Sequence, residues 1–277
     1  MKTLICAVLA ALAVVGHAET AATNAAAKPT KKFTPEQIAA NRARRAARIA
    51  ARIAAEGGMI TKPNSGNFIR VVSAQKKIPL DQIKALVDQF NTGLCMWTEV
   101  SEIEPGATPF ETLERARKLP KTGLLTLVVD DDKCPVILSA MEECWSILNI
   151  RHLRDDLPPK DVYENRIRKE LNRAVAQSAG AGISYNRPCA LEPALTVTQL
   201  DALKFPVMSP EALSKVQEVG NLRGVDRIIG GTYKDACQEG WAPAPTNDVQ
   251  KALWDEVHSI PSNPIKIKFD PKRDAGK

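Results

Sequence analysis

Leu124-Leu125-Thr126-Leu127-Val128-Val129, followed at once by Asp130-Asp131-Asp132, is the stretch that decides the fold. It is a continuous apolar run, without the polar–apolar alternation of a half-exposed strand. That pattern predicts a strand buried on both faces, which needs covering layers on each side. The three carboxylates mark where the chain leaves the sheet. Upstream, Phe68–Ser73 alternates and is β-branched, a second strand, and Leu94–Val100 reads as a third. Between them Leu80, Ile83, Leu86, Val87 and Phe90 recur at helical spacing after Pro79, and Phe110–Lys118 makes a short helix stopped by Pro120. Downstream, Val136–Ala140 and Trp145–Ile150 form two strands joined by a short turn. Asp161–Ala179 is then the longest helix of this part, with Val162, Ile167, Leu171 and Val175 towards a core.

Beyond residue 196 the pattern is helical: 197–203, 210–219, 233–238 and 248–258, followed by an extended basic tail among Pro261, Pro264 and Pro271. Strands alternating with helices, then helices alone, predict an α/β (α+β) fold with a mixed sheet, a long central helix and a helical C-terminal part. The expected boundaries are 65–205 for the α/β domain and 206–277 for the C-terminal region.

The N-terminus reads as a signal for export. Lys2 precedes an uncharged apolar run, Leu4–Val15, and the small residues Gly16 and Ala18 predict cleavage after Ala18, so residues 1–18 are a signal peptide. The run is shorter than the ~20 residues a membrane span needs, and no later stretch approaches that length. A secreted or periplasmic location follows as the expectation. Residues 19–64 form a basic linker and helix. Thr34 is an N-cap, Pro35 the first helical residue and Gln37 the far side of a capping box, before an Ala/Arg run halted by Gly57-Gly58. Most of the +6 net charge sits in this arm, with Arg42, Arg44, Arg45, Arg48 and Arg52 on the helix and Lys28, Lys31 and Lys32 before it. An arm of this kind suits an anionic surface such as lipid headgroups or an envelope polymer, or serves as a solvated spacer. The near-neutral body argues against nucleic acid. Ile38, Ile49 and Ile53 are too few to anchor the helix in a core.

The chemistry within reach is sparse. His17, His152 and His258 are the three histidines, and the motifs of zinc peptidases, serine hydrolases, phosphate-binding loops and C-x-x-C pairs are all missing. Asp130, Asp131 and Asp132 are the best carboxylate cluster, with Glu170 or His152 as partners for a hydrolase; a hard cation is the other possibility. Successive side chains leave a strand in opposite directions, so convergence would require a turn. Cys95, Cys134, Cys144, Cys189 and Cys237 allow two disulfides and one leftover thiol, or buried thiols, with no pairing readable. Tyr233, Trp241 and Trp254 concentrate among prolines near the C-terminus, either as an aromatic surface or as pins for the last helix.

Lys169-Glu170 at the head of the second half of the long helix, Gly180 at its end, and Cys189 and Leu191 beyond it carry a resemblance. The stretch resembles the zinc-binding segment of the archaemetzincins, K-E-x-x-H-E-x-x-H-x-x-G-x-x-H-C-x-x-x-x-C-x-M, over about residues 65–205 of the chain. Lys169, Glu170, Gly180 and Cys189 match; Leu191 stands where Met is expected and Ser184 where the first Cys is. The resemblance implies a zincin-like layered domain. It also implies that the three zinc-ligand positions are Arg173, Gln177 and Ile183 and the general-base position Ala174. None of Arg, Ile and Ala offers zinc a donor, so what it implies is a scaffold without metal, cofactor or peptidase chemistry. The expected function is then binding: a peptide or envelope protein held by strand addition in the vacated groove, with Arg173 and Gln177 lining it as donors. The alternatives are a hydrolase using the carboxylate cluster and a structural envelope component tethered by the basic arm.

Overall fold

A computed structural model of the chain describes residues 34–185 and 188–259. The expected signal peptide, the linker before the first helix and the basic tail lie outside those residues. What is described divides into two units, one spanning Pro63–Ile228 and the other made of residues 34–62 and 229–259.

In the first unit, strands β1 (Phe68–Ser73), β2 (Thr98–Glu102), β3 (Thr122–Val129), β4 (Ile137–Ala140) and β5 (Trp145–Asn149) form a five-stranded sheet. The order is β2-β1-β3-β5-β4, parallel throughout except that β4 runs antiparallel to β5 at one edge. The helices are α1 (Leu80–Leu94), α2 (Pro109–Ala116), α3 (Lys160–Ser178), α4 (Val197–Ala202) and α5 (Pro210–Leu222). A single 3-10 turn, Arg151–Arg154, joins β5 to the approach of α3.

The apolar run Leu124–Val129 is buried throughout and sits centrally, and its two faces meet different layers. Leu124 and Val128 face a cluster shared with Ile69, Val71, Leu148 and residues of α1, α3 and α5. Leu125, Leu127 and Val129 face a second cluster with Val72, Ile147 and Leu113 and Ala116 of α2. Each fully buried Leu, Ile or Val contributes about 1.5–3 kcal/mol, and this is what closes the three layers. Under α3, Thr126 and Ser146 share a buried hydroxyl–hydroxyl hydrogen bond of 3.0 Å, so the polar atoms of that face satisfy one another. The mixed α/β architecture is the one expected.

Two details depart from the expectation. Leu94–Val100 is not one strand: α1 runs through Leu94, Cys95 takes a positive φ of 52°, Met96 makes an isolated bridge to Arg227, and β2 begins at Thr98. Leu94 and Met96 are fully buried, one as a helix end and one as a bridge residue, and a short apolar run does not distinguish these from a strand. The first unit also runs to Ile228, past the expected boundary at residue 205, because α5 contributes Ala212 and Val216 to the core over the sheet.

In the second unit, helix Pro35–Ala55 starts with the anticipated capping box. Gln37 N–H donates to Thr34 Oγ1 at 3.2 Å and Thr34 N–H to Gln37 Oε1 at 3.0 Å. None of its residues is buried. The chain then turns through Gly57 (φ 82°), where an added Cβ would fall 2.8 Å from the Cβ of Tyr233. Two short strands the sequence does not announce, Met59–Thr61 and Gly230–Thr232, pair antiparallel. Helices Tyr233–Glu239 and Asp248–Ser259 complete the unit, Gln250 donating through Nε2 to Gly57 O at 2.9 Å. Among the described residues no helix is long and apolar enough to cross a membrane.

Candidate functional site

Helix α3 carries charge on the face that it buries. Arg166, Lys169 and Glu170, at relative spacings of three and four residues that share a helix face, are between 1% and 3% exposed. Burying such groups is costly unless each finds partners. Arg166 does: it grips Asp156 (2.6 and 2.8 Å) and Asp201 (2.8 and 2.6 Å), each through two hydrogen bonds, and donates to Leu153 O at 2.8 Å. These two carboxylates hold its guanidinium more firmly protonated than usual, and the Arg166 guanidinium in turn pulls the Asp156 carboxyl below the ordinary carboxylate range. Lys169 Nζ donates to Leu200 O at 2.7 Å, at the end of α4; burial lowers its proton affinity. The central helix is thereby tied to the turn before it and to α4 after it.

Glu170 differs. Its Oε1 lies 3.4 Å from Arg173 Nη1, while its Oε2 is buried with no partner among the described residues. Burial pushes its carboxyl above the usual carboxylate range, and the Arg173 guanidinium opposes this more weakly. Arg173 itself spends its donors on the loop that follows α3. Nε and Nη2 donate to Ala190 O (3.1 and 3.0 Å), Nη2 also to Glu192 O (2.8 Å), and Nη1 reaches Ala194 O at 3.5 Å. The loop is thus latched onto the helix.

Glu170, Arg173 and Gln177 line one side of a cavity of about 700 Å³. Val136 and Ile137 at the start of edge strand β4, the 152–156 segment, and residues 194–200 line the rest. His152 Nδ1 and Asp155 Oδ2 are 3.0 Å apart at its rim. The volume lies within the roughly 300–1,000 Å³ of small-molecule and side-chain pockets.

The residues singled out by sequence are only partly gathered here. Arg173 and Gln177 share the cavity; Ala174 is fully buried in the core; Ile183 is 53% exposed in the wall of a different cavity, of about 600 Å³, with Ser209, Glu211 and Lys215. The helix ends in a Schellman motif at Gly180 (φ 76°), with Ala181 N–H on Ala176 O and Gly180 N–H on Gln177 O, both at 2.9 Å, and the chain turns away there. Glu170 and His152 both line the cavity, but Asp130, Asp131 and Asp132 are not among its lining residues. Asp130 is bound by Arg154 through two hydrogen bonds of 2.8 Å, Asp131 caps the N–H groups of Lys133 and Cys134, and Asp132 pairs with Arg151. Among the described residues no three His, Cys, Asp or Glu side chains gather in a metal-binding group. Cys134, Cys144, Cys189 and Cys237 are buried thiols, and burial raises the proton affinity of Cys134 and Cys237.

Of the three aromatic residues near the C-terminus, Tyr233 is not on a surface. Tyr233 is fully buried, its hydroxyl donating to Pro243 O at 2.8 Å. Trp241 donates to Glu239 at 2.7 Å, and Trp254 stacks on His258 at 4.1 Å. A Tyr on the buried face of a short capped helix pins that helix rather than meeting a partner. Sequence reasoning in turn missed Arg166, Asp156 and Asp201. The available signal was Arg166, Lys169 and Glu170 recurring beside Ile167 and Leu171 on the core face.

Fold and site define an α/β protein with a ligand-sized cavity between its central helix and the edge of a mixed sheet. No family model matches the sequence, and no curated protein matches it. Among solved structures the chain is similar to the archaemetzincin of Methanopyrus kandleri, at 14% identity and a TM-score of 0.46, over 57% of this chain and 98% of that one. It is also similar to a zinc-dependent peptidase of Methanocorpusculum labreanum, at 14% identity and a TM-score of 0.42, over 53% of this chain and 99% of that one.

Proposed function

We propose that this chain is an exported, non-catalytic binding protein that holds an extended peptide segment against the cavity over α3. The observation that carries the reading is the position of that cavity. It opens beside Ile137 of β4 and Val136 just before it, and β4 is paired on one side only among the described residues. An edge strand offers a row of backbone donors and acceptors for strand addition, and the adjacent cavity takes a side chain. The residues at the expected zinc positions do not fit that ion. Arg173 cannot surrender its proton and is bonded to three carbonyls, Ile183 has no donor atom and lines another cavity, and Ala174 has no carboxylate to act as a base. With Arg173 engaged by the loop, Gln177 is left as the side-chain amide for a ligand backbone. No step through a metal is drawn.

The test has two arms. Metal analysis of the purified protein should find no stoichiometric zinc, and Arg173→His should not create a site, since one imidazole is far from a tetrahedral set. One equivalent of zinc, lost in Gln177→Ala, would overturn the non-catalytic reading. Peptide-library binding should yield micromolar ligands; no binding by any peptide would overturn the rest. Export is tested separately, by the mass of protein recovered from an exporting host, which should begin at Glu19.

A second role has its own observation. Helix Pro35–Ala55 buries none of its residues, and Arg42, Arg44, Arg45 and Arg48 are exposed along it. Such a helix suits tethering to an anionic envelope surface. Release from envelope fractions should then follow rising salt, and salt-independent partitioning would exclude it.

A further inference from the structure

We infer that the cavity over α3 selects a basic side chain, lysine or arginine, of the peptide it holds, with Glu170 as the counter-charge; this rests on the peptide-binding reading above. The cavity wall includes Glu170, whose carboxylate keeps one oxygen without a partner among the described residues. Glu170 is 3% exposed, and that oxygen, Oε2, is buried. Leaving such an acceptor unpaired costs about 1–3 kcal/mol, more for a charged group, which a ligand bringing a donor would recover.

The surrounding charges decide which donor. Arg173 is the cation of the wall, but its N–H groups already face Ala190 O, Glu192 O and Ala194 O, and its contact to Glu170 is a single 3.4 Å approach to Oε1. A carboxylate or phosphate ligand would therefore find no free guanidinium fork and would meet Glu170 instead. Asp156, also in the wall, is bound by Arg166 through two hydrogen bonds. Asp155 is not: its contact is His152, and its side chain is 60% exposed at the rim. The cavity thus has an acidic base and an acidic rim, and its one positive side chain is committed elsewhere.

Between base and rim the wall is apolar: Val136, Ile137, Leu153 and Leu200 line it. Lysine and arginine carry three or four methylenes before their charge, so their stems match such a wall while the head reaches the carboxylate. An apolar side chain would fill the same volume but leave Oε2 unpaired. Burial also keeps the Glu170 carboxyl inclined to hold its proton, against the pull of Arg173. A ligand cation adds the opposing charge that the site lacks.

The experiment uses the full chain and a positional-scanning library of octapeptides, read by fluorescence anisotropy. Lysine or arginine fixed at one position should bind about ten-fold tighter than leucine or glutamate there, about 1.4 kcal/mol. In Glu170→Gln that preference should collapse towards that of leucine, while binding of the leucine peptides persists. Asp155→Asn, an exposed change safe for folding, should lower the preference by a smaller factor and keeps the test valid if the Glu170 variant does not fold. Peptides that bind with no basic preference, or a preference unchanged in Glu170→Gln and in Asp155→Asn, would overturn this inference and leave the peptide reading standing. Failure of every peptide to bind would remove both.

Discussion

Two long helices of this chain, Pro35–Ala55 with 21 residues and α3 with 19, are built on opposite principles. The first has a capping box, alanine at most of its non-arginine positions and no buried residue. Its helicity comes from local propensity and its cap. The second starts at Lys160 without a side-chain cap, carries charge on most turns and buries ten residues, among them Arg166, Lys169 and Glu170. It is held by what it touches. A helix specified locally is a candidate for a separable role, whereas one specified by its surroundings is where a site can be built. Four experiments probe that contrast.

The largest effect should come from Arg166→Ala. It removes four hydrogen bonds to Asp156 and Asp201 and one to Leu153 O from a residue 2% exposed. A loss of about 3 kcal/mol is expected, a fall in Tm of roughly 6–12 °C for a domain of this size. A drop below about 2 °C would mean that α3 does not depend on this clamp.

Next in size is Arg173→Ala, which releases the loop carbonyls of Ala190 and Glu192. About 2 kcal/mol should be lost, and proteolytic cleavage should move into residues 188–196. Arg173→Lys should not restore the wild-type pattern, because a point charge cannot span several carbonyls as the guanidinium fork does. Equal protease resistance in all three proteins would refute the latch.

Glu170→Gln should act in the other direction, and only over part of the pH range. The folded carboxyl holds its proton more tightly than the unfolded one, so in the window above the ordinary Glu value the native state binds more protons. Native stability therefore falls as pH rises through that window and levels off once the folded group ionises. Gln does not titrate, so the Tm of the variant should gain on wild type between pH 4 and pH 8. A constant gap across that range would contradict the burial argument.

The smallest effect is expected for deletion of residues 34–55, which should shift Tm by no more than about 2–4 °C, or ~1 kcal/mol. Extending the deletion through Thr61 should cost clearly more. It removes the pairing with Gly230–Thr232 and the Gly57 carbonyl that Gln250 binds. If both deletions cost the same, the helix and the short strand act as one element.

Much of the architecture was legible in the chain. Leu124–Val129 announced a doubly covered strand, Thr34 and Gln37 a helix start, and Gly180 a helix end, because each signal is local and steric. The failures share a cause too. Leu94 and Met96 are apolar for core reasons that no strand requires, and Met59–Thr61 pairs with a glycine-rich partner about 170 residues away. The candidate site was half legible. Arg173 and Gln177 lie on one helix turn and do share a wall, whereas Ile183 follows a left-handed turn whose direction only packing fixes.

What the sequence determined by itself was the order and kind of elements and the basic helix with its cap. These follow from composition and short-range periodicity, which act within a few residues. Only the tertiary structure decided that Arg166 is answered by Asp156 and Asp201, that Arg173 is spent on a loop, and that Glu170 keeps one oxygen without a partner among the described residues. The physical reason is distance along the chain. The Arg166–Asp201 pair spans 35 residues, and a buried charge is satisfied by whatever the fold brings to it, not by its neighbours in sequence.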